Sequence, residues 1–249
     1  MAHRRKNNEK KRAVVLLSGG MDSATLLALA RHQGFVCHAL TFAYGQRHSR
    51  EIQCAKQLVK AQGAGAHSTM ELDFKALAKS SPLTGGQPIP KHRKPAVIAS
   101  DVSPTYVPAR NTIFLSFALA LAESLNTQHI FIGVNAVDHG GYPDCRPEYI
   151  RAFERLANLA TRSGVRGNKL AIHAPFVKKS KEQILRLGLK LGVDYSQTHS
   201  CFDPTRAGFS CGECDACILR REAFRKVGLD DPIMYVKRDG RRRTAQPKH

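Results

Sequence analysis

The sequence predicts an α/β protein, a doubly wound parallel sheet followed by a four-cysteine knuckle near the C-terminal end. Three observations carry this. Short apolar runs alternate with helical patterns over residues 13–195, a small-residue turn follows the first apolar run, and four of the seven cysteines crowd the last fifth of the chain. Strands are expected at 14–17, 35–42, 67–72, 129–134 and 170–174, and helices at 24–32, 49–62, 112–125, 148–161 and 181–191. Strands separated by helices argue for a parallel sheet covered on both faces, with ligands at the carboxyl ends of the strands.

The first run, Ala13-Val14-Val15-Leu16-Leu17, feeds Ser18-Gly19-Gly20-Met21-Asp22-Ser23 and then the helix-forming stretch Ala24-Thr25-Leu26-Leu27. A buried strand leading into such a turn presents backbone N–H groups at a helix N-terminus, where unsatisfied amides and the helix dipole favour phosphate. A Walker loop would need a Lys-Ser/Thr pair after its last glycine, and a dinucleotide fingerprint a third glycine. Neither is present. The segment resembles the SGGxDS loop of the PP-loop ATP pyrophosphatases, whose fold is that of the adenine nucleotide alpha hydrolases. The resemblance implies that serines and amides hold the β and γ phosphates of ATP and that Asp22 helps to hold Mg2+.

The second and third expected helices are separated by residues 79–105, an irregular stretch carrying Pro82, Pro88, Pro90, Pro95 and Pro104. A connection of this length in a compact domain is usually functional, and it is a candidate lid as much as a tolerated insertion.

The fourth expected strand leads into Asn135-Ala136-Val137-Asp138-His139-Gly140-Gly141-Tyr142-Pro143-Asp144-Cys145-Arg146-Pro147-Glu148, a loop dense in polar side chains at the carboxyl edge of the sheet. By residue chemistry alone it is a polar ligand pocket, since carboxylates accept ring N–H and amino donors and arginine binds carboxylate.

Cys201, Cys211, Cys214 and Cys217 follow the spacing C-x9-C-x2-C-x2-C. Two-residue gaps turn neighbouring thiolates towards one point, as in closed four-thiolate zinc sites, so a structural Zn2+ is expected, in preference to disulfides or an iron–sulfur cluster. Gly208 and Gly212 supply the tight backbone. Cys37 and Cys54 read as buried small hydrophobes, and Cys145 stays open.

With 249 residues, 42% of them hydrophobic, the chain can bury one main core. Residues 13–195 are taken as the ATP-binding domain and 196–236 as the metal-binding segment packed on it. No apolar run approaches the ~20 residues of a membrane span, and the N-terminus lacks the apolar core of a signal peptide, so a cytoplasmic protein without membrane contact is expected. The formal charge is +19, but residues 1–12 and 237–249 hold +10 of it. These tails read as disordered and solvated, in preference to an RNA contact.

The acidic loop, together with Phe42-Ala43-Tyr44-Gly45-Gln46-Arg47-His48, Val107-Pro108-Ala109-Arg110-Asn111, Thr198-His199-Ser200-Cys201 and Cys211-Gly212-Glu213-Cys214-Asp215-Ala216-Cys217, resembles the 7-cyano-7-deazaguanine synthases of queuosine biosynthesis. The match runs from about Val14 to Phe224, and departs in the tails and at His139-Gly140, where the family more often has Tyr-Ser. It implies a ligase that uses ATP to turn 7-carboxy-7-deazaguanine and ammonia into the 7-cyano base through an amide, and a homodimer. By the same match, Leu17 to Leu27 hold ATP with Arg110 and Asn111, while Asp22, Arg47 and His48 are catalytic. Gln46, Glu51, Asp138, Tyr142, Asp144, Arg146 and Glu148 take the base and its carboxylate. Lys178, Lys179 and Lys181 either reach phosphate or cap a solvated helix. The rival readings are another PP-loop ligase or tRNA-modifying enzyme, and a zinc-knuckle nucleic-acid binder.

Overall fold

A computed structural model describes residues 11–46, 49–98, 102–135 and 142–236. Arg47, His48, Asp138 and both basic tails beyond residues 11 and 236 lie outside the described residues. Five parallel strands form one sheet in the order β3-β2-β1-β4-β5. They are β1 (Arg12–Leu16), β2 (Val36–Ala43), β3 (Ala66–Glu71), β4 (His129–Phe131) and β5 (Ala171–His173).

The central strand explains the architecture. Ala13, Val14 and Val15 are all buried, because β1 is central in the sheet, paired with β2 and β4, and helices cover both of its faces. Alternation along the strand then sorts the core into two layers. Val14, Leu40, Phe42 and Ile130 pack with Leu115 and Ala118 of α5 (Arg110–Ser124) and with Ile150 and Phe153 of α6 (Pro147–Ala160). On the other face, Ala13, Val15, Ala39 and Phe131 pack with α1 (Met21–His32), α2 (Arg50–Gln62), α8 (Lys181–Lys190) and α9 (Asp215–Val227). Three single-turn helices, α3 (Phe74–Leu77), α4 (Pro95–Ile98) and α7 (Arg162–Val165), lie in the connections. After β1 the chain builds outward through β2 and β3, then returns to lay β4 on the opposite side. The two connections diverge between β1 and β4, and a crevice opens at their carboxyl ends.

Several boundaries differ from expectation. Strands β4 and β5 are three residues each; the Ile132 amide still donates to the His173 carbonyl at 3.0 Å, and Ile132, Gly133 and Val134 border the crevice. Helix α1 begins at Met21 with Gly20 as its N-cap, so the turn residues Met21 to Ser23 are already helical. Helix α9 was not anticipated within 196–236. The stretch 79–105 is fastened to the knuckle rather than loose in its described second half. Lys91 pairs with Asp203 at 2.9 Å, the His92 amide donates to the Glu213 carbonyl at 2.9 Å, and Arg93 pairs with Asp215 at 2.6 Å. No described helix is long and apolar enough to cross a membrane.

Candidate active site at the carboxyl ends of the central strands

The loop after β1 is held open by its own small side chains. The Leu17 amide donates to Leu40 and its carbonyl accepts from the Thr41 hydroxyl, which keeps the exit aligned with β2. Gly19 then takes φ +88, and a Cβ there would stand 2.1 Å from the Glu51 carbonyl oxygen. Only glycine satisfies both the left-handed backbone and the close approach of α2. The Ser23 hydroxyl donates to the Gly20 carbonyl at 3.0 Å and accepts from the Ser18 amide at 3.2 Å. The first amides of α1 have no intrahelical acceptor, and Gly20 offers no side-chain cap. The result is a cluster of N–H and hydroxyl groups suited to an anion.

That cluster borders a cavity of about 290 Å³ at the β1/β4 crevice, near the lower end of small-molecule sites. Asp22 stands in it. One carboxylate oxygen accepts from Asn135 at 3.0 Å and from the Lys181 ammonium, while the other is buried and meets no hydrogen-bond partner among the described residues. Lys181 is positioned by a capping box, in which the Ser180 hydroxyl and the Gln183 side chain each bond the other's backbone. Arg110, the first residue of α5, lies over the rings of Tyr44 and Tyr142 at 5.8 and 5.9 Å. Its neighbour Asn111 is fixed by Asp144, whose carboxylate accepts the Asn111 amide at 2.9 Å. Glu51, in the first turn of α2, borders the same cavity. Burial pushes its carboxyl up to about 7, against the opposing pull of Arg110.

The knuckle supplies a further wall through His199, Ser200, Phe202, Asp215 and Leu219. The four sulfur atoms of Cys201, Cys211, Cys214 and Cys217 lie within 4.8 Å of one another, with Cys211 and Cys217 at 3.9 Å. A tetrahedral ion bound at 2.3 Å by four thiolates sets its sulfurs about 3.8 Å apart. The amides of Asp203, Cys211 and Cys214 point at cysteine sulfur from 3.2 to 3.3 Å, which favours the thiolate. The donor set therefore fits one tetrahedral metal ion, and all four cysteines are free thiols.

The sequence model of the queuosine biosynthesis protein QueC matches residues 12–228. The chain belongs to the QueC family. Among its relatives, the 7-cyano-7-deazaguanine synthase of Desulfatibacillum aliphaticivorans is 53% identical over 92% of this chain and 98% of that protein. The 7-cyano-7-deazaguanine synthase of Geobacter sulfurreducens is 54% identical over 91% of this chain and 94% of its own length.

Within this QueC-family fold, the residues expected to act fall into distinct places. Leu17, Ser18, Gly20, Met21, Asp22, Ser23, Glu51, Arg110, Asn111 and Tyr142 meet at the cavity. Ala24, Thr25, Leu26 and Leu27 turn into the core, where Thr25 shares a 2.7 Å hydrogen bond with the Tyr195 hydroxyl. Gln46 ties down its own turn, accepting the Tyr44 amide and donating to the Phe42 carbonyl. Asp144 bonds Asn111 through both carboxylate oxygens. Arg146 and Glu148 pair with each other at 3.4 Å on the surface, each more than half exposed. Cys145 is buried against the Asn111 amide group and borders the cavity. Cys37 and Cys54 are buried. Asn135, Tyr44, Asp215 and Arg220 were not singled out by sequence, although Asn135, Tyr44 and Asp215 stand inside the motifs quoted above.

Proposed function

We propose that this protein is an ATP-dependent carbon–nitrogen ligase that converts 7-carboxy-7-deazaguanine and ammonia into 7-cyano-7-deazaguanine through an amide. The observation that carries the reading is one cavity that joins an anion-binding loop to the Asp22–Lys181 pair, Arg110 and Glu51.

A carboxylate resists ammonia until one oxygen becomes a leaving group. The Ser18 and Ser23 hydroxyls and the first amides of α1 would hold the ATP phosphates while a substrate oxygen attacks phosphorus and the bond to the departing phosphate breaks. The unpartnered Asp22 oxygen fits Mg2+, which when bound neutralises phosphate charge. Lys181 and Arg110 stabilise the negative charge that develops on transferring and leaving oxygens. Ammonia then attacks the acyl carbon, the phosphorylated oxygen leaves, and one proton departs from nitrogen. A second ATP activates the amide oxygen, whose departure and the loss of two further protons leave the nitrile. Glu51, held near neutrality by burial, is placed to receive protons in these steps.

In this reading the knuckle ion is a structural Zn2+, closed to substrate by its four thiolates. The assembly is a homodimer, a reading that the exposed apolar side chains of Leu156, Leu159 and Val165 support. The site of action is the cytoplasm. Purified protein given ATP, ammonium and 7-carboxy-7-deazaguanine should yield the nitrile by mass spectrometry, with ATP consumed only when both co-substrates are present. ATP turnover without nitrile, alongside tRNA modification, would instead favour the rival PP-loop enzymes.

A further inference from the structure

We propose that Asp215, carried by the cysteine knuckle, receives the N–H edge of the base and is a specificity-determining residue of the enzyme. This rests on the ligase reading above and extends it to the edge by which the substrate is recognised.

Asp215 opens α9 between the ligand positions Cys214 and Cys217, and its side chain is 6% exposed. One oxygen accepts from Arg93 at 2.6 Å, and Arg93 also donates to the Val97 carbonyl at 3.3 Å. The carboxylate is thus fixed in rotation by a residue from the 91–98 segment, itself fastened to the knuckle through Lys91 and His92. The other oxygen is buried and meets no hydrogen-bond partner among the described residues, on a residue that borders the cavity. A buried carboxylate oxygen left without a donor costs on the order of 1–3 kcal/mol. Because Asp215 lines the cavity, a bound ligand is the available source of that donor.

The chemistry of the surroundings selects the donor. Ile98, Phe202, Ala216 and Leu219 border the cavity with Asp215 and present apolar surface, which suits a flat heterocycle. Arg93 already balances the charge of Asp215, so the free oxygen offers an acceptor rather than net negative charge. That favours neutral N–H groups over ammonium. A 2-aminopyrimidinone edge presents a ring N–H and an exocyclic amine side by side, and carboxylate is a natural acceptor for both.

The test compares steady-state constants for each co-substrate in the full-length, metal-loaded enzyme. Asp215→Asn should raise KM for the base about 10- to 100-fold, as expected for a lost hydrogen bond to a charged group. KM for ammonium and ATP should stay within about twofold. An analogue of the base lacking the 2-amino group should be a poorer substrate for the wild type, and that discrimination should collapse in Asp215→Asn, a readout that a merely structural role would not move. Because Asp215 lies beside two ligand cysteines, Arg93→Met serves as a second variant outside the knuckle. It should raise base KM several-fold with metal content per chain unchanged. An unaltered base KM in both variants, undiminished discrimination against the analogue, or a rise confined to ammonium KM overturns the inference. A wild type that forms no nitrile at all overturns the ligase reading instead.

Discussion

The Lys181 ammonium donates to the Asp22 carboxylate across 159 residues of sequence, and both side chains are about four-fifths buried at the cavity wall. Asp22 comes from the first turn of α1 and Lys181 from the first turn of α8, so the pair joins two helix N-termini at the anion-binding end of the site. Lys181→Met should lower kcat by about 100- to 1000-fold, the usual cost of deleting one donor to developing charge. Asp22→Ala should abolish turnover while metal content at the cysteines stays at the wild-type value. Loss of that metal in the Asp22 variant would contradict the independence of the two sites.

Glu51 makes the site sensitive to pH. Its carboxyl is raised to about 7 by burial, so between roughly pH 4.5 and 7 the folded protein holds a proton that the unfolded chain has released. Its contribution to stability is therefore present in full below the unfolded value and is lost as pH rises through about 7. Relative to Glu51→Gln, the wild type should melt at progressively lower temperature between about pH 5 and about pH 8. As a proton acceptor Glu51 must be ionised, so kcat/KM should climb with pH around 7, and Glu51→Gln should flatten that limb. A Glu51→Gln profile identical to wild type would remove the residue from proton transfer.

Gly19 is the closest constraint on the loop. Gly19→Ala must strain a positive φ and displace the Glu51 carbonyl at the same time. Urea unfolding should show a loss of about 2–3 kcal/mol, and ATP affinity should fall because the loop and α2 can no longer sit together. Wild-type affinity in this variant would mean that the loop relaxes without losing its anion site.

Arg220 is 2% exposed and makes a two-point pair with Asp231 at 2.8 and 3.0 Å, while also donating to the Thr198 hydroxyl and the Tyr195 carbonyl. Asp231→Ala leaves a buried guanidinium without its counter-ion, and such losses run to about 3–5 kcal/mol. By contrast, Glu182→Ala breaks a half-exposed pair with Arg186, where about 0.5 kcal/mol is expected. Denaturant midpoints measured side by side would show whether burial, rather than the presence of an ion pair, sets the cost.

The order of strands and helices was legible because apolar runs and amphipathic stretches alternate, and the anion loop because Ser18 to Ser23 concentrates small residues behind a buried strand. What sequence did not show is who partners whom. Asp144 reads as a ligand carboxylate, and the structure adds a partner 33 residues earlier, one oxygen accepting the Asn111 backbone amide at 2.9 Å and the other its side-chain amide at 3.4 Å. Arg146 and Glu148 read as a polar pocket, and the structure pairs them with each other at 3.4 Å. Lys181 was ambiguous between phosphate and solvent because only the packing of α8 against α1 brings it to Asp22. Helix α9 was hidden by its own cysteines. Cys214 and Cys217 stand at ligand spacing, and the same two residues are the N-cap and the first turn of a helix that Gly228 ends in the left-handed conformation.

That double use of Cys214 leads to a prediction about metal removal. The cysteine stands at the N-cap position of α9, accepts the Phe202 amide on its sulfur, and completes the four-thiolate set. Since metal affinity at such a site is folding free energy, Cys214→Ser should lower the melting temperature and the metal content together. A strong chelator should reproduce the shift in the wild type and have little further effect on the variant. The anion loop should report the damage too, because the His199 amide, two residues before Cys201, donates to the Gly19 carbonyl at 2.9 Å. ATP binding should therefore weaken on chelation in parallel with the loss of metal. If calorimetry showed metal-free protein binding ATP with unchanged affinity, the knuckle would be a separate stabilising module and not a support for the loop.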